Sequence, residues 1–254
     1  MINFQLSINE VKSFILDFLF PKYCVNCNRE ISQTDSWVCL SCAQKIVPVV
    51  SQVCPACGRL TENGRYCPKC SKDKSLIGVM AAAYFDEGPI REMIHNFKYN
   101  GVLELGDRLA EMMVDSLNNE LRSMNHGENK IHNSLFMLHD SILTFVPMHW
   151  QRKAKRGYNQ AEVLARIIGQ KLNIEVCELL TKPKKTKRQA ELSGNSRRKN
   201  LQGTFILNAD CCVKNREIII VDDVVTTGST LNECAAVLKK AGAKKIWGLV
   251  ISRG

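Results

Sequence analysis

The sequence has no apolar run long enough to predict a membrane-spanning helix. Its most apolar stretch near the start, residues 6–20, is shorter than the roughly 20 residues of a span and contains Glu10, Lys12 and Asp17. No basic segment precedes it, so the pattern of a secretory signal is missing as well. We therefore expect a cytoplasmic protein with no membrane span, in which residues 1–20 form an amphipathic helix packed on the rest of the chain.

Acidic residues are in short supply. The 254 residues include 35 lysines and arginines against 25 aspartates and glutamates, which gives a formal charge of +10. Residues 151–200 alone contain fourteen basic and four acidic side chains, so one segment accounts for the whole excess. Positive charge concentrated in this way favours an anionic partner, such as phosphate groups or a nucleic acid.

The pattern G-x-x-x-x-G-K is also missing, which excludes the phosphate-loop nucleotide hydrolases. Residues 216–231, REIIIVDDVVTTGSTL, instead combine an apolar run, two adjacent acids, a short polar turn and the start of a helix. The run at residues 218–221 predicts a strand that is buried on both faces of a parallel sheet. Ligands of open α/β folds bind at the carboxyl edge of such strands.

The polar turn predicts a binding site for a phosphoryl group. Free N–H groups lie where the turn meets the helix, and Gly228 allows a ligand to approach the backbone closely. The two acids would repel a phosphate, so they must face sugar hydroxyls or a metal. A sugar phosphate satisfies both requirements, at Asp222, Asp223, Thr226, Thr227, Gly228, Ser229 and Thr230. The alternatives are an acid pair of the receiver or hydrolase kind, or a solvated turn.

Twelve cysteines would indicate disulfides in a secreted protein, but eight of them form four C-x-x-C pairs, and no secretory signal is seen. Two such pairs complete a tetrahedral ZnS₄ site, which leaves no open position and is therefore structural. Sequential pairing predicts one site from Cys24, Cys27, Cys39 and Cys42 and a second from Cys54, Cys57, Cys67 and Cys70. Interleaved pairing stays open, and redox dithiols or an iron–sulfur cluster are the alternatives to zinc.

A second anion site is predicted where another buried strand, residues 141–146, runs into the segment QRKAKRGYNQ at residues 151–160. A basic loop between a strand and a helix would lie at the same carboxyl edge of the sheet. Its cations could neutralise a pyrophosphate, since arginine forms bidentate contacts with phosphate oxygens. The residues predicted to do so are Arg152, Lys153, Lys155 and Arg156. A solvated basic face is the alternative.

Residues 179–201 are too polar for a core element and predict a mobile loop. Basic side chains in this loop could follow the backbone of single-stranded DNA. Besides Lys182, these are Lys184, Lys185, Lys187, Arg188, Arg197, Arg198 and Lys199. Trp150, Tyr158 and Phe205 could stack on bases or belong to the core.

The remaining patterns predict an α/β fold in which a parallel sheet is flanked by helices. Further strands are expected at residues 76–85, 200–207 and 245–252, and helices at residues 89–99, 103–121, 161–172 and 229–241. Residues 122–135 predict a surface loop. Residues 21–75 would form a small double zinc ribbon, and residues 76–254 the α/β domain.

Residues 218–230 resemble the thirteen-residue signature of the type I phosphoribosyltransferases, which bind 5-phosphoribosyl-1-pyrophosphate (PRPP). The resemblance implies that the acids contact the ribose hydroxyls, that the turn holds the 5′-phosphate, and that PRPP binds with Mg²⁺. With the zinc ribbons, VPMHWQRKAKRGYNQAE at residues 146–162 and RQAELSGNSRRKN at residues 188–200 resemble the ComF family of late competence proteins. That likeness implies handling of incoming single-stranded DNA in the cytoplasm, with DNA-uptake proteins as partners.

Two functions are compatible with this resemblance. The first is DNA handling, with PRPP as a bound regulator. The second is transfer of ribose 5-phosphate to a nitrogen nucleophile with release of pyrophosphate, for which Asp222 and Asp223 would be the catalytic residues. Thr226 stands where purine-salvage members usually carry an acid, and threonine cannot take a proton at neutral pH, which argues against purine transfer. A pure zinc-ribbon adaptor would leave residues 222–230 without a purpose.

Overall fold

The computed structural model describes residues 21–32, 36–85, 88–123, 141–183, 203–208 and 213–254. Its strands are β1 Lys22–Tyr23, β2 Glu30–Ile31, β3 Gly78–Tyr84, β4 Ser141–Phe145, β5 Glu175–Val176, β6 Leu180–Thr181, β7 Ile206–Leu207, β8 Glu217–Val225 and β9 Lys245–Arg253. Its helices are α1 Leu40–Ala43, α2 Pro89–Tyr99, α3 Leu105–Ser123, α4 Trp150–Arg156, α5 Gln160–Leu172 and α6 Ser229–Lys240. The helix predicted within residues 1–20 lies outside the described residues.

Five strands form a parallel sheet in the order β3-β9-β8-β4-β5. β8 lies at its centre, where its apolar residues 218–221 are buried, as the run of β-branched side chains predicts. Helix α6 connects β8 to its parallel neighbour β9. The expected α/β class, with a parallel sheet flanked by helices, is therefore confirmed.

Side chains of β8 alternate between two hydrophobic clusters, because successive residues of a strand point to opposite faces. Ile219 and Val221 belong to the first cluster, together with residues of α2, α3 and α5. Ile218 and Ile220 belong to the second cluster, together with residues of α6. The sheet thus separates two cores, which we call the first face and the second face.

Each face also packs against one cysteine ribbon. The first ribbon, residues 22–43, contributes Cys24 and Val38 to the first cluster. The second ribbon, residues 53–70, contributes Cys54 and Tyr66 to the second cluster. The two ribbons therefore meet the α/β domain on different sides.

The segment between the ribbons covers the edge of the sheet. The side-chain amide of Gln52, which is buried, donates to the carbonyl of Ala81 at 3.1 Å and accepts from its N–H at 3.2 Å. The N–H of Val49 donates to the carbonyl of Ala82 at 3.0 Å. These bonds satisfy backbone groups of β3 that an exposed edge strand would leave open to other chains.

Helix α3, predicted at residues 103–121, packs on the first face through one stripe of side chains, since Leu105, Leu109, Met113 and Leu117 are buried and Met112 is partly buried. The helix continues to its last residue at position 123, so the loop predicted at residues 122–135 begins later than expected. Residues 124–140 lie outside the described residues.

The predicted loop at residues 179–201 begins inside the core. Leu179 and Leu180 are buried in the second cluster, and β6 pairs antiparallel with β7. Of the strand predicted at residues 200–207, the described residues 203–207 contain only the two-residue β7, which pairs with β6 and not with the main sheet. Burial of the two leucines places the start of this segment in the core, although the residues that follow are polar. Residues 184–202 lie outside the described residues.

Candidate functional site

The strand that carries the acid pair is longer than predicted. β8 runs through Asp222 and Asp223 to Val225, because its ladder with β9 continues with Asp222 opposite Val250. The expected strand end at residue 221 is therefore wrong. Since adjacent residues of a strand point to opposite faces, the two carboxylates meet different surroundings.

Asp223 points to the first face, where it is only 6% exposed. The ammonium nitrogen of Lys98, in α2, lies 2.8 Å from its Oδ1. The side-chain amide of Gln160, at the start of α5, donates to its Oδ2 at 2.6 Å. A buried carboxylate needs partners of this kind, because an uncompensated buried charge strongly destabilises a fold. A cation and an amide thus fix Asp223 in place.

Asp222 points to the second face and is partly buried. Its Oδ1 accepts a 2.9 Å hydrogen bond from the N–H of Asp223. Burial, followed by the charge of Asp223, raises the pKa of Asp222 to about 7. Burial, followed by the charge of Arg152, lowers the pKa of Lys182, and Asp222 acts in the opposite direction. The charges of Lys98 and Lys182 lower the pKa of Asp222 in turn, so this acid lies within electrostatic reach of two cations.

The polar turn follows β8 at the carboxyl edge of the sheet. Thr226 and Thr227 are exposed, and Gly228 adopts a left-handed conformation with φ of 69° just before α6. The hydroxyl oxygens of Thr227 and Ser229 lie 2.8 Å apart. The N–H groups of the first helical turn lie beside these hydroxyls, so the turn offers the kind of donors that an anion requires.

The basic segment after β4 is a helix and not the predicted loop. α4 begins after His149, whose ring Nδ1 accepts a hydrogen bond from the N–H of Gln151. It ends at Gly157, where φ of 91° stops the helix. None of the seven residues of α4 is buried, so the helix presents its cations and Trp150 to solvent.

The cations predicted for pyrophosphate have different partners. The ammonium group of Lys153 lies 2.9 Å from the carboxylate of Glu162. Arg156 donates to the side-chain oxygen of Gln160, and its guanidinium lies 5.0 Å from the ring centre of Tyr99. Arg152 is the member of the set that acts electrostatically on Lys182, whereas Arg156 reaches the acid pair through Gln160, which donates to Asp223.

The cysteines form two tetrads in sequential pairing. All sulfur atoms of one tetrad lie within 4.8 Å of one another. The first tetrad is Cys24, Cys27, Cys39 and Cys42, and the second is Cys54, Cys57, Cys67 and Cys70. The Cys27–Cys39 and Cys57–Cys67 sulfur pairs are each 3.7 Å apart. Four sulfurs at 2.3 Å from one zinc ion would be about 3.8 Å apart, so both tetrads fit a structural ZnS₄ site. The interleaved alternative is excluded.

Two side chains at this edge, Lys98 and Gln160, had no assigned role in the sequence interpretation, and a third, Lys182, was assigned only to the DNA-binding loop. Gln160 belongs to the motif at residues 146–162, which could have identified it. Lys182 was one of many cations in a basic segment. Lys98 ends an amphipathic helix, where a lysine is common for its interaction with the helix dipole. Its contact with Asp223 depends on where α2 packs, which local sequence does not reveal.

Comparison with known proteins divides the chain in the same way. Residues 15–71 match the double zinc ribbon domain, and residues 154–252 match the phosphoribosyl transferase domain. Competence protein F of Haemophilus influenzae is 30% identical over 206 residues, which are 77% of this chain and 84% of that protein. The chain belongs to the ComF family.

Other relatives of this ComF chain are named for DNA use or competence. The DNA utilization protein YhgH of Escherichia coli O157:H7 is 31% identical over 164 residues, 63% of this chain and 66% of that protein. The competence protein ComFC of Streptococcus pneumoniae is 25% identical over 214 residues, 84% of this chain and 86% of that protein. The expected family and the expected double zinc ribbon are confirmed.

Of the three aromatic residues predicted to stack on bases or belong to the core, two belong to the core and one is exposed. Phe205 is buried, and the hydroxyl of Tyr158 donates to the carbonyl of Phe97, so both belong to the core. Trp150 is 66% exposed. The loop cations predicted to bind DNA, residues 184–199, lie outside the described residues. Among the helices that the structure describes, none is both long and apolar enough to cross a bilayer.

Proposed function

We propose that this ComF chain binds PRPP with Mg²⁺ at the carboxyl edge of β8 and holds single-stranded DNA on the adjoining cationic helix α4, in the cytoplasm. One observation carries the proposal: the hydroxyl-rich turn at residues 226–230, the titrating Asp222 and the cations Lys182 and Arg152 meet at one edge of the sheet. The names of the relatives, which refer to competence and DNA utilization, favour DNA as the macromolecular partner.

Each part of PRPP would meet groups of complementary charge or hydrogen-bonding capacity at this edge of the sheet. The N–H groups at the start of α6 and the hydroxyls of the turn would donate to the 5′-phosphate. The carboxylate of Asp222 would accept hydrogen bonds from the ribose hydroxyls, while Asp223, held by Lys98 and Gln160, would support the strand from the first face. Arg152 and Lys182 would face the pyrophosphate, whose charge Mg²⁺ would partly offset.

PRPP binding can be tested by thermal unfolding of the zinc-loaded protein with PRPP and Mg²⁺. A ligand at 100 times its Kd adds about 2.7 kcal/mol to the free energy of unfolding, which raises the melting temperature measurably. The Asp222→Asn variant, which leaves the Asp223–Lys98 pair intact, should lose this shift, and ribose 5-phosphate should produce a smaller one. An unchanged melting temperature at millimolar PRPP would refute the proposal.

The DNA surface is proposed from the exposed face of α4 and the neighbouring end of α2. Trp150 and Tyr99 are 66% and 59% exposed, and the guanidinium of Arg156 lies over the Tyr99 ring. Proteins that bind single strands without sequence preference combine cations for the backbone with exposed rings on which bases stack. α4 supplies both within seven residues, and the predicted loop cations would extend the same surface.

Binding of a fluorescent oligodeoxythymidine, measured by anisotropy, tests this surface. Trp150→Ala and Tyr99→Ala should each weaken binding about tenfold, because base stacking on one ring contributes about 1–3 kcal/mol. Tyr23→Ala is the matched control, since this ring is 47% exposed but lies on the first ribbon. Affinity should also fall steeply with added salt. Equal effects of all three substitutions would contradict the proposed surface.

A second candidate function is phosphoribosyl transfer, which the pKa of about 7 at Asp222 favours. A group that titrates near the working pH suits general acid–base catalysis. The bond from the anomeric carbon to pyrophosphate would break, a bond from that carbon to nitrogen would form, and Asp222 would take the proton that the nucleophile releases. Release of pyrophosphate from PRPP, assayed with bases and ammonia as acceptors and lost in Asp222→Asn, tests this function.

A further inference from the structure

The second ribbon packs directly against the polar turn. A Cβ atom built on Gly228 would lie 2.5 Å from the hydroxyl oxygen of Tyr66 and 3.4 Å from Cβ of Pro55. Any side chain at this position would therefore collide with the ribbon, quite apart from the left-handed φ of 69°. The contact leaves Gly228 buried, although Thr226 and Thr227 beside it are exposed.

Two sets of hydrogen bonds hold the ribbon on either side of this contact. The guanidinium of Arg253, at the end of β9, donates to the carbonyls of Val53 and Cys54 at 3.0 and 2.9 Å. The side-chain oxygen of Asn232, in the first turn of α6, accepts from the N–H groups of Ser75 and Leu76 at 3.1 and 3.4 Å. The ribbon is thus attached to the end of β9, where Arg253 pairs with Val225 just before the turn, and the residues that follow the ribbon are attached to the start of α6.

Tyr66 makes this contact without a polar partner. Its side chain is only 6% exposed, and its hydroxyl has no hydrogen-bond partner among the described residues. Burial of a hydroxyl without a partner is unfavourable, so packing of the ring must hold the side chain there. Tyr66 directly precedes Cys67, and Pro55 directly follows Cys54, so both contact residues adjoin ligands of the second zinc site.

We infer that the second zinc ribbon is a positioning element for the phosphoryl-binding turn, with Tyr66 as the residue that transmits its influence. The inference rests on the proposed function, in which the turn binds the 5′-phosphate. Zinc in the second tetrad fixes Tyr66 and Pro55, and these fix Gly228. Because coupling between two sites is reciprocal, a phosphoryl ligand on the turn also tightens zinc in this tetrad. The first ribbon, on the opposite face, lacks this effect.

Hydrogen–deuterium exchange of residues 226–232 tests the coupling without any ligand. In the zinc-loaded protein, Tyr66→Ala should raise exchange of this segment at least about tenfold, the size typical of coupling between sites. Tyr66→Phe keeps the ring and should leave exchange unchanged. Val38→Ala, in the buried part of the first ribbon, is the matched control and should also leave it unchanged.

Stepwise zinc removal from the wild-type protein makes the test independent of variants that fail to fold. A chelator is added, alkylation of the freed cysteines identifies the tetrad that has been emptied, and exchange of residues 226–232 is followed in parallel. Exchange should rise when Cys54 and Cys67 become reactive, and not when Cys24 and Cys39 do. Exchange that stays constant, or that rises equally in both cases, overturns the inference.

Ribose 5-phosphate separates this inference from the proposed function. If the sugar phosphate slows release of zinc from the second tetrad alone, both stand. If the wild-type chain binds neither PRPP nor ribose 5-phosphate, the proposed function fails. The exchange measurements then still decide whether the ribbon positions the turn.

Discussion

The two faces of the sheet carry the same kinds of parts in different arrangements. Each face packs against one cysteine ribbon, and each receives one carboxylate of the acid pair. On the first face, Lys98 and Gln160 fix Asp223. On the second face, Asp222 has a raised pKa and lies beside the turn that the second ribbon supports. Residues that are neighbours in sequence therefore have separate roles, because the alternation of a strand sends them to different surroundings.

This contrast assigns different tasks to the faces. The first face has the features of a frame, with a buried ion pair and a ribbon attached to the core. The second face has the features of a ligand site, with a titrating acid, nearby cations and a ribbon against the turn. Four experiments test whether the two faces have these different roles.

The largest effect is expected from Lys98→Met. The substitution leaves the carboxylate of Asp223 buried without its cation, which should lower the free energy of unfolding by about 3–5 kcal/mol. Urea unfolding measures the change. Lys153→Met is the control, since the Lys153 side chain is 47% exposed against 17% for Lys98, so its pair with Glu162 should contribute only about 0–1 kcal/mol. Similar losses in both variants would show that Asp223 does not need its partner.

Zinc-ligand substitutions compare the two ribbons directly. Cys39→Ser and Cys67→Ser should each reduce the zinc content from two ions to one per chain, as measured by mass spectrometry of metals. Only Cys67→Ser should also weaken PRPP binding, by about tenfold, because among the described residues of the two ribbons it is Tyr66 and Pro55 of the second that approach Gly228. Equal loss of affinity in both variants would remove the distinction between the ribbons.

A double-mutant cycle of Gly228→Ala and Tyr66→Ala measures the contact between ribbon and turn. Gly228→Ala alone suffers from both the left-handed φ and the collision with Tyr66. In the Tyr66→Ala background, only the backbone strain remains. The free energies of unfolding should therefore show a coupling of about 0.5–3 kcal/mol. Additive effects would mean that the turn shifts away from the ribbon at little cost.

The smallest effect concerns pH. Because the pKa of Asp222 is about 7, PRPP affinity should rise up to about tenfold between pH 6 and pH 8, as the carboxylate becomes able to accept from the ribose. The same raised pKa makes this group favour the folded state below its ordinary value of 3.8, an advantage that is lost as pH rises to 7. Asp222→Asn should remove both dependences. Calorimetry across this range, with Lys153→Met as control, checks the result.

Much of the molecule was predictable from local pattern. The four C-x-x-C pairs predicted both tetrads, because a short loop between consecutive pairs favours closing each site within one stretch of chain. The apolar run, the turn and the helix at residues 216–231 predicted the centre of the sheet and its ligand edge. Helix α2 was predicted with its observed bounds, since Pro89 marks the start.

Other features escaped local pattern because they depend on distant partners. β8 extends through its acids only because β9 continues beside it. The cations of α4 were expected in a loop. They lie in a helix, because His149 caps its start and Gly157 ends it. No local feature of Lys98 or Tyr66 predicts their contacts, which join residues far apart in the chain.

The amino-acid sequence alone determined which groups are available: eight thiols spaced for two zinc ions, a buried strand that carries two adjacent acids, a hydroxyl-rich turn and an excess of cations. These follow from short-range rules of spacing and periodicity. Only the tertiary structure decided which groups lie next to each other. It pairs Asp223 with Lys98, gives Asp222 a raised pKa and places the second ribbon against Gly228. The physical reason is that burial and charge pairing depend on which helices and loops the sheet brings to each of its faces, and those neighbours come from remote parts of the chain.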